Sequence, residues 1–322
     1  MISSSRNPYR WLILGLIFGL ASFVFALKVG SVTNADWELI QELRLPRAVL
    51  AAAVGMGLAV AGAALQAVFS NPLCEPYTLG ISSGAALGSV LGASFGLELN
   101  LAGLAGPAFL GAMVVTAVLF MISYRTGAST LSLLLVGVML SFLGSSLVAV
   151  WMAFADANGI QGAMVWLMGT LSRARIEGAL FTLVGTLTLV VLIWRRWRDL
   201  DALLLGEEGA ACLGVSVASA RRHLILLSSF LVGLCVSGGG MIGFVGLMIP
   251  HFLRRKLGSL HFFLIPACAI WGAFSLVLAD TVARTLVRPY DLPVGVVTAL
   301  VGAPAFVFLL LGEARMRARG AL

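Results

Sequence analysis

Long apolar runs separated by short charged ones dominate the chain. No Asp, Glu, Lys or Arg lies between Arg47 and Glu75, Glu75 and Glu98, Glu98 and Arg125, or Arg125 and Asp156. The same holds between Arg222 and Arg254, Lys256 and Asp280, and Asp291 and Glu313. A helix needs roughly 20 mostly apolar residues to cross the hydrocarbon core, and each of these gaps reaches that length. The pattern predicts an all-α polytopic membrane protein with about ten transmembrane helices in one domain, residues 1–322. The predicted spans are Trp11–Val29, Ala48–Phe69, Tyr77–Phe95, Gly103–Ser123, Leu131–Phe154, Gly178–Trp194, His223–Gly240, Met241–Leu253, His261–Ala279 and Pro293–Gly312. His223–Leu253 is too long for one comfortable span. Ser237-Gly238-Gly239-Gly240 in its middle predicts two back-to-back helices, the second short.

Composition agrees. The chain is 60% hydrophobic and 11% charged, against about 25% charged in a soluble domain. Trp11–Leu27 follows Arg6 and Arg10 and resembles a signal peptide, but nine further spans favour a retained first helix. Alternating from a cytoplasmic N-terminus places 14 Lys and Arg inside (Arg6, Arg10, Arg125, Arg195, Arg196, Arg198, Arg221, Arg222, Arg254, Arg255, Lys256, Arg315, Arg317, Arg319). Only 7 fall outside (Lys28, Arg44, Arg47, Arg173, Arg175, Arg284, Arg288). The bias predicts N-in, C-in. The net charge of +7 is thus a topology signal and gives no reason to expect nucleic acid as a partner. Cys74, Cys212, Cys235 and Cys268 have no C-x-x-C spacing, so neither a disulfide nor a metal site is indicated.

Several local patterns carry candidate chemistry. Gly80-Ile81-Ser82-Ser83-Gly84 matches the nucleophile elbow G-x-S-x-G, but it opens a span rather than following a strand. His223, His251 and His261 all fall near the predicted cytoplasmic face. A membrane-embedded hydrolase on Ser82 is therefore disfavoured, and no catalytic residue is assigned. No P-loop G-x-x-x-x-G-K-[ST] occurs, so ATP-driven work would need a separate ATPase. Charges sit at predicted span ends, which disfavours an ion-coupled secondary transporter. Gly84, Gly88 and Gly92 share one helix face and read as a packing surface. Gln66 reads as an interhelical hydrogen-bonding residue. Val165–Gly169 reads as a short interfacial helix with Trp166 at headgroup depth. Leu205–Gly214 reads as a short glycine-stopped helix in a cytoplasmic loop, about 199–222. Its pattern alone suits a solvated connector equally well.

Two segments exceed what packing needs. Arg44-Leu45-Pro46-Arg47 sets two cations at the outer mouth of the second span. Asn71-Pro72-Leu73-Cys74-Glu75-Pro76 is a proline-bounded hairpin at its inner mouth. Together with Gly62–Ser70, these segments resemble the signature of the FecCD family, the permeases of type II ABC importers for ferric siderophores, haem and cobalamin. Gly243–His251, Ala279–Arg284 and Leu292–Pro304 are further matches in the family order. The sequence is similar to the cobalamin-transporting members in particular. Cys74 departs from the usual Ala, and Ser129-Thr130-Leu131-Ser132 departs locally from the cobalamin members.

The resemblance implies the type II permease fold in a bacterial inner membrane. It implies a homodimer, two ABC ATPase subunits that bind ATP and magnesium, and a periplasmic substrate-binding protein. No cofactor is implied in this chain. On family breadth a ferric siderophore is the first expected substrate, with cobalamin and haem next. Carried over residue by residue, Arg44, Arg47 and Arg284 match arginines that grip acidic residues of the binding protein. Asn71 and Leu73 match one cytoplasmic gate, and Thr130 and Leu131 its companion. Gly206, Glu207, Glu208, Leu213 and Gly214 match the ATPase-contacting coupling helix.

Overall fold

The structure is a computed structural model that describes residues 8–30, 37–95, 100–101, 104–126, 130–288 and 290–318. Arg6, Arg319 and Ser129, named above, lie outside the described residues. The chain runs through α1 (Pro8–Lys28), α2 (Leu45–Val68), α3 (Ile81–Ser94), α4 (Gly106–Thr126), α5 (Thr130–Phe154), α6 (Ala157–Leu167) and α7 (Ile176–Trp194). It continues with α8 (Trp197–Leu203), α9 (Gly206–Cys212), α10 (Val217–Gly239), α11 (Val245–Leu257), α12 (His261–Thr285) and α13 (Val294–Ala318). Among the described residues the only extended pairing is two residues long, Asn100–Leu101 against Leu104–Ala105.

Every predicted span contains one helix, and α6, α8 and α9 are short additions. Among the described residues six helices are long and apolar enough to cross a bilayer: Pro8–Lys28, Ile40–Val68, Thr130–Phe154, Ile176–Trp194, Val217–Gly239 and His261–Thr285. Helices α3 and α11, at 14 and 13 residues, are shorter for identifiable reasons. The predicted span Tyr77–Phe95 begins with a 3-10 turn, Pro76–Leu79, and Gly80 at φ 76° delays the α-helix to Ile81. The interruption after α10 falls at residues 240–244, slightly later than expected, because Gly239 stays helical against Leu171 and Ile242. Gly240 and Phe244 then take left-handed φ of 70° and 69°, and α11 starts at Val245 rather than Met241. In the outer loop the helix is Ala157–Leu167, N-capped by the Asp156 carboxylate at 3.0 Å from Gly159 N. Val165–Gly169 is its end, closed by Gly169 at φ 73°.

Helix α2 is the axis of the fold. It packs on α12, α7, α10 and α11, and 20 of its 24 residues are buried. Its alanines and glycines permit this, because small residues let helix backbones approach closely. A Cβ on Gly55 would strike the Gly272 carbonyl, and one on Gly62 the Gly246 carbonyl. Gly84, Gly88 and Gly92 do the same for α3 against Gly111 and Pro107 of α4. By contrast α1 and α5 bury little of their length.

Candidate functional site

Three groups of predicted residues fall at the two ends of α2. At the outer end, Arg47 Nε donates to Asp280 Oδ1 at 2.8 Å and Arg47 Nη1 to Asp291 Oδ2 at 2.6 Å. Arg284 Nε lies 3.1 Å from Asp280 Oδ2, one helical turn along α12. Arg44 Nη1 donates to the Leu27 and Lys28 carbonyls, both at 3.0 Å, and Arg284 Nη2 to the Ala26 carbonyl at 3.3 Å. These carbonyls end α1, where the last turn lacks intrahelical partners and the dipole favours cations. The cluster therefore ties α1, α2, α12 and the 291 loop together.

This corrects the exposed arrangement expected from the sequence. Arg44, Arg47 and Arg284 are only 5%, 7% and 4% exposed. They are brought together as predicted, but their forks already hold internal carboxylates and carbonyls. A second correction concerns Asp280. The predicted span stops before it, whereas α12 runs on to Thr285 and encloses it. A buried carboxylate inside a span is a standard sign of ion coupling, but here two guanidiniums neutralise it.

At the inner end, the hairpin after α2 is held by its own polar groups. Asn71 Oδ1 accepts from Leu73 N at 2.9 Å, and Thr78 Oγ1 donates to the Glu75 carbonyl at 2.7 Å. Glu75 Oε1 accepts from Phe244 N at 2.7 Å at the start of α11. The Tyr77 hydroxyl accepts from Ile242 N and donates to its carbonyl, each at 2.6 Å. The hairpin is thus clamped to the interruption between α10 and α11. Gln66 is interhelical, as expected. Its Nε2 donates to the Cys74 and Gly246 carbonyls at 3.3 Å, and its Oε1 accepts from Arg254 of α11. Leu73 and Leu131 both project, half or more exposed, while Asn71 and Thr130 are partly covered.

The segment expected to be a cytoplasmic loop folds as α8 and α9. Gly206 and Gly214, at φ 84° and 78°, open and close α9. Ala210 is buried, whereas Leu205 and Leu213 are exposed, as is Glu208 beside them. Two apolar side chains standing free on a short helix outside the spans form an obvious contact surface. Glu207 accepts from Arg221 of α10 and from Thr130 Oγ1 of α5, the latter at 3.1 Å. The Arg221 hydrogen bond, reinforced by its charge, holds the Glu207 carboxyl below its ordinary range.

The Gly80–Gly84 motif is no nucleophile elbow. A 3-10 turn precedes it, Ser82 is buried, and Ser83 Oγ donates to the Gly80 carbonyl at 2.8 Å as part of the first helical turn. Sequence reasoning missed the roles of Asp280, Asp291, Arg221, Arg254 and Ser70. Asp280 and Arg284 at i, i+4 carried a readable signal; the others pair across long separations that leave none.

Comparison with known proteins gives a consistent picture. The FecCD transport family matches residues 11–312. The chain is 39% identical to the hemin transport system permease of Yersinia pestis over 89% of this chain and 87% of that protein. It is 41% identical to the vitamin B12 import system permease of Vibrio vulnificus over 93% of this chain and 91% of that protein. Among solved structures, a metal-chelate type ABC transporter in an inward-facing conformation superposes with a TM-score of 0.86. It is 33% identical, covering 95% of this chain and 99% of that one.

Proposed function

The chain belongs to the FecCD transport family, and from that membership we propose that it is the membrane-spanning subunit of an ATP-driven importer of a metal chelate across a bacterial inner membrane. The observation that carries this reading is the match along nearly the whole chain, in sequence and in fold. Ten crossings with both termini in the cytoplasm fit the ten apolar segments and the two-to-one Lys and Arg bias. The working unit is a homodimer with two separate ABC ATPases, which bind ATP and magnesium, and a periplasmic binding protein.

Family breadth puts a ferric siderophore first among substrates. The relatives named for hemin and vitamin B12 reverse that order, so a tetrapyrrole chelate comes first and a ferric siderophore second. In this reading Leu73 with Asn71, and Leu131 with Thr130, close the inner end of the path. Gly206–Gly214 seats in the ATPase, with Leu213 and Leu205 as apolar anchors and Glu207 and Glu208 as its acidic edge. The outer cluster offers the binding protein three cations against two carboxylates, an excess of positive charge suited to an acidic partner. Because Arg44, Arg47 and Arg284 also hold the helix ends together, replacing all three by Glu would unfold the outer end as well as weaken docking.

Reconstitution into proteoliposomes with the ATPase and binding protein tests the proposal, using haemin, cyanocobalamin and a ferric hydroxamate as probes. We expect uptake that requires ATP and the ATPase, survives Ser82→Ala, and falls at least ten-fold in Leu213→Arg while the permease still inserts. Uptake without any ATPase that collapses with an ionophore would overturn it in favour of ion coupling.

A further inference from the structure

Both predicted gates are fastened to one cytoplasmic segment, and at residues only four apart on it. Ser70 opens the hairpin that carries Asn71 and Leu73, and its Oγ donates to the Leu203 carbonyl at 3.2 Å. Leu203 is the last residue of α8. Thr130 opens α5, which carries Leu131, and its Oγ1 donates to Glu207 Oε1 at 3.1 Å. Glu207 stands in the first turn of α9 and is itself held by Arg221. The intervening Gly206 is left-handed, so α8 and α9 form a bent bar with one gate tied to each arm.

The Ser70 tether has a second mark. Ser70 adopts φ 47°, a left-handed conformation that residues other than Gly, Asn and Asp seldom take. In that conformation its hydroxyl reaches α8. The backbone there is held by Ser70 N donating to the Ala67 carbonyl at 3.1 Å and Asn71 N to the Gln66 carbonyl at 3.0 Å, and the side chain by the Leu203 carbonyl.

We propose that the α8–α9 segment is a yoke, in which Ser70–Leu203 and Thr130–Glu207–Arg221 are separate tethers that move the two gates together when the ATPases displace it. Ser70, Glu207 and Arg221 are then positioning residues that touch no substrate. The inference rests on the gating and coupling roles proposed above, and it adds the links between them. Each link is one hydrogen bond or one exposed ion pair, worth a few-fold in an equilibrium, so it can break and re-form within a transport cycle.

The test uses the complete permease–ATPase complex with Cys74, Cys212, Cys235 and Cys268 replaced. A single thiol is introduced by Leu73→Cys or Leu131→Cys, and its labelling rate by a polar thiol reagent is read with and without ATP and vanadate. In the parent, both rates should change with nucleotide. Ser70→Ala should cut the Leu73 response about three-fold or more and leave the Leu131 response. Thr130→Val should do the reverse, and Thr130→Ser, which keeps the hydroxyl, should restore it. A general packing defect would not follow this crossed pattern or be rescued by serine. If both gates respond in every variant as in the parent, the yoke is wrong and the gating proposal stands. If neither gate responds even in the parent, the gating proposal fails and the yoke with it.

Discussion

The two ends of α2 are held by opposite means. At the outer end, Arg47 is enclosed with Asp280 and Arg284, and the cations also close the end of α1. At the inner end, the chain leaves α2 into a hairpin that Glu75 and Tyr77 clamp to residues 242–244, but its tip residue Leu73 is exposed and its link to α8 is a single hydrogen bond from Ser70. Buried ion pairs are costly to break and favour one arrangement. Exposed ones contribute little and exchange easily. The difference assigns rigidity to the outer end and freedom to the exposed tip of the hairpin at the inner end. Under the proposed function, that division of labour keeps a docking face constant while gates open below it.

Breaking the outer end should have the largest effect. Asp280→Ala leaves two buried guanidiniums without their shared carboxylate and should cost about 3–5 kcal/mol, seen as a large fall in thermal unfolding temperature in detergent. Asp291→Ala, whose side chain is 38% exposed, should cost much less. Equal losses in the two variants would dissolve the contrast between a sealed and an open end.

A middle-sized effect is expected where the inner half of α2 is still enclosed. Gln66→Leu removes a donor to two carbonyls and an acceptor for Arg254, leaving buried polar groups unpaired. The expected cost is about 1–3 kcal/mol, measurable by the same melt. A loss matching Asp280→Ala would move the boundary between the rigid and mobile ends past Gln66.

The smallest effect is expected at the Glu207–Arg221 pair. Arg221 depresses the folded-state pKa of Glu207, so the pair's contribution is present above the ordinary Glu value of about 4.3. It is lost as pH falls through the lower folded value. A fluorophore on the exposed Cys212 should therefore show constant anisotropy from pH 8 to 5 and loosen only below about pH 4. A transition centred above pH 5 would contradict the pairing.

The chain's own pattern revealed the apolar segments well, since charges in a lipid-facing run are costly and their absence is visible by inspection. It also revealed where α3 must pack, because Gly84, Gly88 and Gly92 share one helix face, and that face meets Gly111 and Pro107 of α4. What it could not reveal was polarity satisfied at a distance. Arg44 and Arg47 read as surface cations because an arginine at a span end looks the same whether it faces headgroups or a carboxylate from a helix encoded much later. The 3-10 turn at Pro76–Leu79 was hidden for a related reason. Its residues are apolar enough for a span, and only the clamp to Ile242 and Phe244 explains their departure from a helix. The proposed gate and coupling positions rest on motif, whereas the hydrogen bonds that tie them to Leu203 and Arg221 needed coordinates.

The separation of 233 residues between Arg47 and Asp280 has a consequence in time. At about 5–20 residues per second of synthesis, the second helix waits roughly 10–50 s for the buried carboxylate partner of its arginine. During that interval its alanines and glycines have few large side chains with which to bind the wrong neighbour, and its lone arginine can rest among headgroups. A nascent chain released before Asp280 would therefore carry an inserted axis already packed on α7, α10 and α11 but with its outer ion pair still unmade.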